Sequence, residues 1–247
     1  VYAHALGAFD AAVSRGGPVN GWPPVATWEP AARAAALRNG RGLPLRFVPQ
    51  PPRARRRGAV DMGALYDERI FTRGEVPSRE RNLHDFLNLL QWLAYPRAKA
   101  AVNARQRAAL VRWVAPGATS LPGARTREQD ALAMLDEGGL LLLVRSAAAE
   151  AARSAVARGD GEAVSALARG GDAAPLAFGH ALAEHLCGDG PPVRALCAPL
   201  VVDALAPTLV ARLRQADGAL AALLASPDAF AAPPDAPAIL VTDALFG

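Results

Sequence analysis

The sequence predicts an α+β fold, mainly helical, with a small antiparallel sheet that includes one hairpin. Three observations carry that reading. Alanine-rich stretches place apolar residues at helical spacing between Pro and Gly stops. Two apolar runs, Leu140 to Val144 and Ala195 to Val202, have the length of strands. The order of these segments lacks the regular strand-helix alternation that builds a parallel α/β sheet.

Taken in order, residues 1–40 read as two short helices broken by Gly16-Gly17-Pro18 and Trp22-Pro23-Pro24, the second running from Glu29 to Arg38 and stopping at Asn39-Gly40. Leu43 to Val48 reads as a strand that Pro49, Pro51 and Pro52 end. This divides the chain into an N-terminal helical region, 1–42, and a main α+β domain, 43–247, with a shortened or divergent C-terminal tail. Tyr66 to Ser78 is loop-like, with strand potential at Arg69 to Thr72. Asn82 suits a helix N-cap, because its side chain can accept from free backbone N–H groups and Leu83, Phe86, Leu87, Leu90 and Leu93 follow at helical spacing. Pro96 ends that helix or opens the next, which closes before Pro116-Gly117.

From Asp130 to Val144 two apolar runs flank Asp136-Glu137-Gly138-Gly139, the pattern of a hairpin. Residues 147–168 are helical with a break at Gly159-Asp160-Gly161, and Pro175 to Cys187 is a helix stopped by Gly188. Ala195 to Val202 is a strand despite Pro199, Pro207 to Leu224 a helix, and Ile239 to Thr242 a last short strand.

Composition sets the setting. No apolar run approaches the roughly 18 residues of a membrane span. The N-terminus carries no basic-then-apolar signal, and two cysteines, Cys187 and Cys197, cannot form a disulfide framework. A reduced cytoplasm is the simplest expectation, with one Cys187–Cys197 bridge left open. The formal charge of +4 comes from 26 Arg and a single Lys, Lys99. With the excess of Ala, that ratio is the mark of a GC-rich genome, so the charge argues weakly for an anionic partner and nucleic acid is not expected. The Arg53 to Arg57 cluster after Pro51-Pro52 reads as a solvated loop, with phosphate or anionic lipid as the alternative.

The same bias marks out one segment. Phe, Tyr, Met, Ile, Asn and Lys use AT-rich codons and number 20 in the chain; the 38 residues from Tyr66 to Asn103 hold nine of them where about three are expected in proportion. Packing retained the aromatics there, or chemistry retained Asn and Lys.

Within and beyond that window stand the candidate residues. His84 and Asp85 both offer lone pairs to a metal, and a helix N-terminus keeps an imidazole neutral; the competing account is that Asn82 and Asp85 merely cap the helix. His84, Asn88 and Trp92 step by four along one helix face, as a pocket wall or a structural hydrogen-bond network. Lys99, four residues from Asn103, resists replacement by Arg, which suits a compact ammonium holding an anion, or a buried pair with Glu68, Asp85 or Asp130. His180 and Glu184 share a helix face as a ligand pair, as a base with its orienting carboxylate, or as a satisfied core histidine.

The run Tyr66-x-Glu68-Arg69-Ile70, then Arg73-Gly74-Glu75-Val76-Pro77-Ser78-Arg79, then Asn82-x-His84-Asp85-Phe86-x-Asn88, with Trp92, Pro96, Lys99 and Asn103, resembles a bacterial family catalogued as domain of unknown function 3025. Asp130-Ala131-Leu132, Asp136-Glu137-x-Gly139 and Phe178-Gly179-His180-Ala181-Leu182 with Glu184 agree with it, so the resemblance spans roughly residues 44–186. It departs at Leu83, where the family usually has an aromatic, and in a tail that usually contains Pro and Trp. It implies no particular activity.

Two functions therefore stand as expectations. One is a metal-assisted hydrolase of a small anionic or phosphoester substrate, with a divalent ion on His84, Asp85 and His180, catalysis by His84, Lys99, His180 and Glu184, and substrate contacts from Asn88, Trp92 and Asn103. The other is a non-catalytic ligand-binding or protein-interaction module in which the same residues form a polar core.

Overall fold

The computed structural model describes residues 24–50, 60–187, 193–231 and 239–241. The expected first helix, ahead of the Trp22-Pro23-Pro24 break, and the Arg53 to Arg57 cluster lie outside them. The fold is α+β and mainly helical, and none of the described helices is long and apolar enough to cross a membrane.

Helix α1 (Glu29–Ala34) starts on Pro30 in its first turn, where a missing N–H costs nothing, and stops short of Arg38 because Ala36 turns left-handed at φ 49°. Asn39, only 4% exposed, then ties the chain down. Its amide donates to the carbonyls of Ile70 and Phe71 while its oxygen accepts from Arg41 and Leu43. Strand β1 (Arg46–Pro49) follows.

Residues 66–78 depart from the expected loop. Tyr66–Arg73 is helix α2, closed by Gly74 at φ 66°, and Glu75–Ser78 is strand β2. Ile70 is the sole buried residue of α2, so no apolar period announces it; acids in its first turn, Arg73 in its last and the left-handed Gly74 do. A side chain at Gly74 would also meet the Pro44 carbonyl at 2.2 Å. β2 runs parallel to β1, with Arg46 opposite Glu75 and Pro49 opposite Ser78.

Helix α3 (Leu83–Ala94) is capped as expected, the Asn82 oxygen accepting from the Asp85 N–H at 3.1 Å, and Pro96 opens α4 (Pro96–Trp113). The expected hairpin is absent. Arg127–Gly138 is helix α5, nucleated by a reciprocal capping box between Thr126 and Gln129, with Ala131, Leu132 and Leu135 buried at helical spacing. Asp136-Glu137-Gly138 is thus its last turn and not a β-turn, and β3 (Gly139–Arg145) starts directly after it.

Helices α6 (Ala149–Ala157) and α7 (Gly161–Arg169) flank the Gly-Asp-Gly break as expected, with Asp160 capping α7. The expected helix from Pro175 is divided: Ala173–Ala177 is β4, and α8 (His180–Leu186) begins only at His180. β5 (Val193–Val202) carries Pro199 opposite Leu142, α9 (Leu209–Leu224) is capped by Thr208, and β6 (Ile239–Val241) completes a second sheet in the order β4-β3-β5-β6. That sheet is mixed, β3 antiparallel to β4 and parallel to β5, so the expectation of a purely antiparallel sheet with a hairpin is corrected for both sheets.

β3 is the centre of the core, Leu140 to Val144 having no exposed surface. Leu141 and Leu143 pack on one side with Tyr95, Leu132, Phe178, Leu213 and Leu220; Leu140, Leu142 and Val144 pack on the other with Ala152, Val164 and Leu182. A strand covered by helices on both faces reads as an unbroken apolar run. A second cluster, including Trp28, Phe47, Val76, Phe86, Leu90 and Trp92, joins the two-stranded sheet to α3. Cys187 is exposed and Cys197 buried, both as free thiols, and burial pushes the Cys197 thiol up to about 12.

Candidate functional site

Between the ends of β1 and β2 and the start of α3, the last turn of α5 and the start of α8 enclose a cleft of about 770 Å³. Backbone packing decides what meets there. Gly179, immediately before His180, lies so close to the end of α5 that a Cβ would sit 2.2 Å from the Glu137 carbonyl oxygen and 2.5 Å from the Gly139 nitrogen. The N–H groups of Phe178 and Gly179 both donate to the Gly139 carbonyl at 2.9 Å. A residue without a side chain is required by this approach, and it sets His180 beside Glu137.

The imidazoles of His84 and His180, on α3 and α8, stand edge to face with centroids 4.3 Å apart. Both Nε2 atoms face Glu137 Oε2, at 3.6 Å from His84 and 3.3 Å from His180. Among the described residues these three form a group whose ligand atoms lie within 4.8 Å of one another. His84 Nδ1 is 3.0 Å from Glu184 Oε2; a carboxylate can only accept, so the ring donates there, and in its neutral form it presents an Nε2 lone pair toward Glu137. Glu184 therefore serves His84 across the helix pair and not His180, its neighbour one turn away on α8.

Electrostatics favour a lone pair over a proton at His180. Burial first, then the Lys99 cation, push the His180 imidazole down to about 4, so it is neutral at physiological pH. His180 is 5% exposed, and its Nδ1, with the Asp136 backbone nearby, makes no well-formed hydrogen bond. Burial raises the Glu137 carboxyl, a change that nearby His84 moderates. Burial would raise Asp136 too, but Lys99 and then His180 outweigh it and hold that carboxyl below its ordinary value.

The remaining candidates fall into three places. Asp85 lines the cleft but lies outside the trio, both its oxygens being held by Arg79 through Nε at 3.1 Å, a terminal nitrogen at 2.8 Å and the backbone N–H at 2.5 Å. Asn88 also lines the cleft and donates to the Tyr66 hydroxyl at 2.9 Å. Burial of that hydroxyl, with the Asp136 charge, keeps the phenol protonated well above its ordinary range, although the residue as a whole is 42% exposed.

Lys99, Trp92 and Asn103 lie behind the cleft wall. Lys99 Nζ is 2.5 Å from Asp136 Oδ1, its side chain only 4% exposed, with the Trp92 ring centroid 5.6 Å away. Its partner is none of the three carboxylates expected. Trp92 is 1% exposed in the core, one turn too far along α3 to reach the cleft wall. Asn103 donates to the backbone oxygen of Asp67 at 3.2 Å.

Sequence reasoning missed Glu137, taken for a turn residue, and Asp136 as the partner of Lys99. The available signal was Asp136-Glu137-x-Gly139 together with Phe178-Gly179-His180, since paired glycines beside chemistry-bearing residues mark close backbone approach. No curated protein and no solved structure matches the chain. The family model described as "Protein of unknown function (DUF3025)" matches residues 45–237, which contain every residue of this cleft, and the chain therefore belongs to that family.

Proposed function

We propose that the cleft is a metal-assisted hydrolytic site in which His84, His180 and Glu137 hold one divalent ion. The observation that carries the reading is the convergence of two imidazole Nε2 atoms on one carboxylate oxygen at 3.3 and 3.6 Å. Tetrahedral bonds of about 2.0 to 2.2 Å place neighbouring ligand atoms roughly 3.3 to 3.6 Å apart, so those two separations suit a shared ion. Two His and one carboxylate leave coordination open to water and substrate, the ligand set of hydrolytic zinc centres. An ion held by these residues would supply polarisation of the bond to be cleaved and activation of water near neutral pH.

The chain's own residues supply the rest. Glu184 fixes the His84 tautomer, the role of the carboxylate behind a ligating histidine. Asp136, anchored by Lys99, adds negative charge beside His180. Lys99 thus acts through Asp136 and is a positioning residue, which removes the reason for expecting an anionic substrate.

The second reading, a non-catalytic module with a polar core, draws support from contacts the side chains make by themselves, His84 with Glu184 and both imidazoles with Glu137. Metal analysis of protein purified without a histidine tag separates the two. One zinc, manganese or iron per chain, lost in His84→Ala and His180→Ala, supports the metal centre. Absence of metal, with a melting temperature indifferent to chelator and added zinc, defeats it and leaves the module.

A further inference from the structure

Among the described residues, four carboxylates line the cleft, Glu80, Asp85, Asp136 and Glu137, against one cationic side chain, Arg79. Arg79 is engaged by Asp85 through two side-chain nitrogens and its backbone. Lys99 is engaged by Asp136 and is shut out of the cleft. An entering ligand therefore meets Glu80 and the region of Glu137 with no uncommitted side-chain cation among the described lining residues. Glu80 is held in place at the rim by the Val25 N–H, which donates to its Oε2 at 3.1 Å.

Two further features point the same way. Tyr66 is 42% exposed at the cleft, and its hydroxyl is fixed by Asn88, so an aromatic ring stands at the wall in a set position. Asn88 itself is 7% exposed and its Oδ1 accepts no hydrogen bond. A carboxylate, an aromatic face and an unfilled amide acceptor all favour N–H donors carrying positive charge.

We infer that the cleft takes a substrate bearing a cationic nitrogen group, an amidinium, guanidinium or ammonium, docked between Glu80 and Tyr66. The inference rests on the metal-centre reading for where the bond to be hydrolysed lies, but the charge preference belongs to the cleft walls. Benzamidine and benzamide provide the probe pair, being planar, nearly isosteric and different in charge. Their affinities are measured by calorimetry on zinc-loaded and on chelator-stripped protein. Benzamidine should bind about tenfold or more tightly than benzamide in both forms, as expected for a paired charge over an aromatic ring. Glu80→Gln, an exposed substitution, should remove most of that preference while leaving benzamide affinity and zinc stoichiometry unchanged. Equal affinities, or a preference that survives Glu80→Gln intact, overturn the inference. Failure to bind zinc at all defeats the metal centre instead, and the stripped protein still reports the charge preference.

Discussion

Replacing Gly179 by alanine tests the contact on which the whole site depends. The backbone there is unexceptional, with φ near −68°, so conformational freedom is not at issue. The new Cβ would lie 2.2 Å from the Glu137 oxygen and 2.5 Å from both the Glu137 carbonyl carbon and the Gly139 nitrogen, all of them main-chain atoms. Ordinary contact needs roughly 1 Å more, and no side chain can rotate away to supply it. Overpacking of this kind costs about 1 to 3 kcal/mol, and weakening the two hydrogen bonds to Gly139 adds about 1 kcal/mol each. A loss of about 3 to 5 kcal/mol should lower the melting temperature by roughly 10 °C or more in a chain of this size. Zinc affinity should fall by about tenfold or more, because His180 moves from Glu137. Gly138→Ala is the control. Nothing lies within 4 Å of its Cβ, and a Gly-to-Ala change at a helix end should leave stability equal or higher by up to about 1 kcal/mol. Thermal melts of the three proteins, followed by zinc titration, decide the matter. A Gly179→Ala protein that melts within about 2 °C of the parent and binds zinc equally would refute the argument.

Three further expectations are independent of that contact. Lys99→Met should cost about 3 to 5 kcal/mol by leaving Asp136 charged and buried, and Lys99→Arg should be more damaging than any exposed Arg→Lys change because a guanidinium is larger and planar; denaturant unfolding measures both. Glu184→Gln should weaken zinc binding by about 10- to 100-fold without unfolding the protein, read by competition with a chelating dye, and an unchanged affinity would leave Glu184 as an exposed bystander. Acid should act on metal-free protein through two opposed groups. His180, whose folded value is depressed to about 4, binds its proton more readily when unfolded; its contribution is present above about 6.5 and is lost as pH falls toward 4. Asp67 is raised to about 6 by burial and then by Asp136, so it penalises the fold at neutral pH and stability is regained as pH falls from 6 to below 4. Asp67→Asn should therefore raise the melting temperature at pH 8 and make the decline between pH 6.5 and 4 steeper; parallel melting curves for the two proteins across that range would contradict the assignment.

Local chemistry made much of this molecule legible from the chain alone. Asn82 as a cap, Pro96 in a first turn, the Gly159-Asp160-Gly161 break and the strand through Pro199 all depend on backbone groups within a few residues, and each appears in the structure. The enrichment of Asn, Lys and aromatics between Tyr66 and Asn103 also led to Asn88 and Lys99, because buried polar groups resist replacement. Where a segment buries little or buries everything, the apolar pattern fails. α2 buries only Ile70, and Ala131 to Leu135 next to Leu140 to Val144 reads equally as strand or helix; only the Thr126-x-x-Gln129 capping box separates them. Partners were a different matter. That Glu137 meets two histidines, that Glu184 serves His84 and that Lys99 meets Asp136 are contacts between residues 37 to 100 positions apart, fixed by how α5 and α8 approach through Gly179. Sequence determined which side chains had chemistry to offer, since that is a property of each residue and its immediate turn. Tertiary structure alone decided which of them meet, since a side chain's partner is set by the packing of whole helices against one sheet.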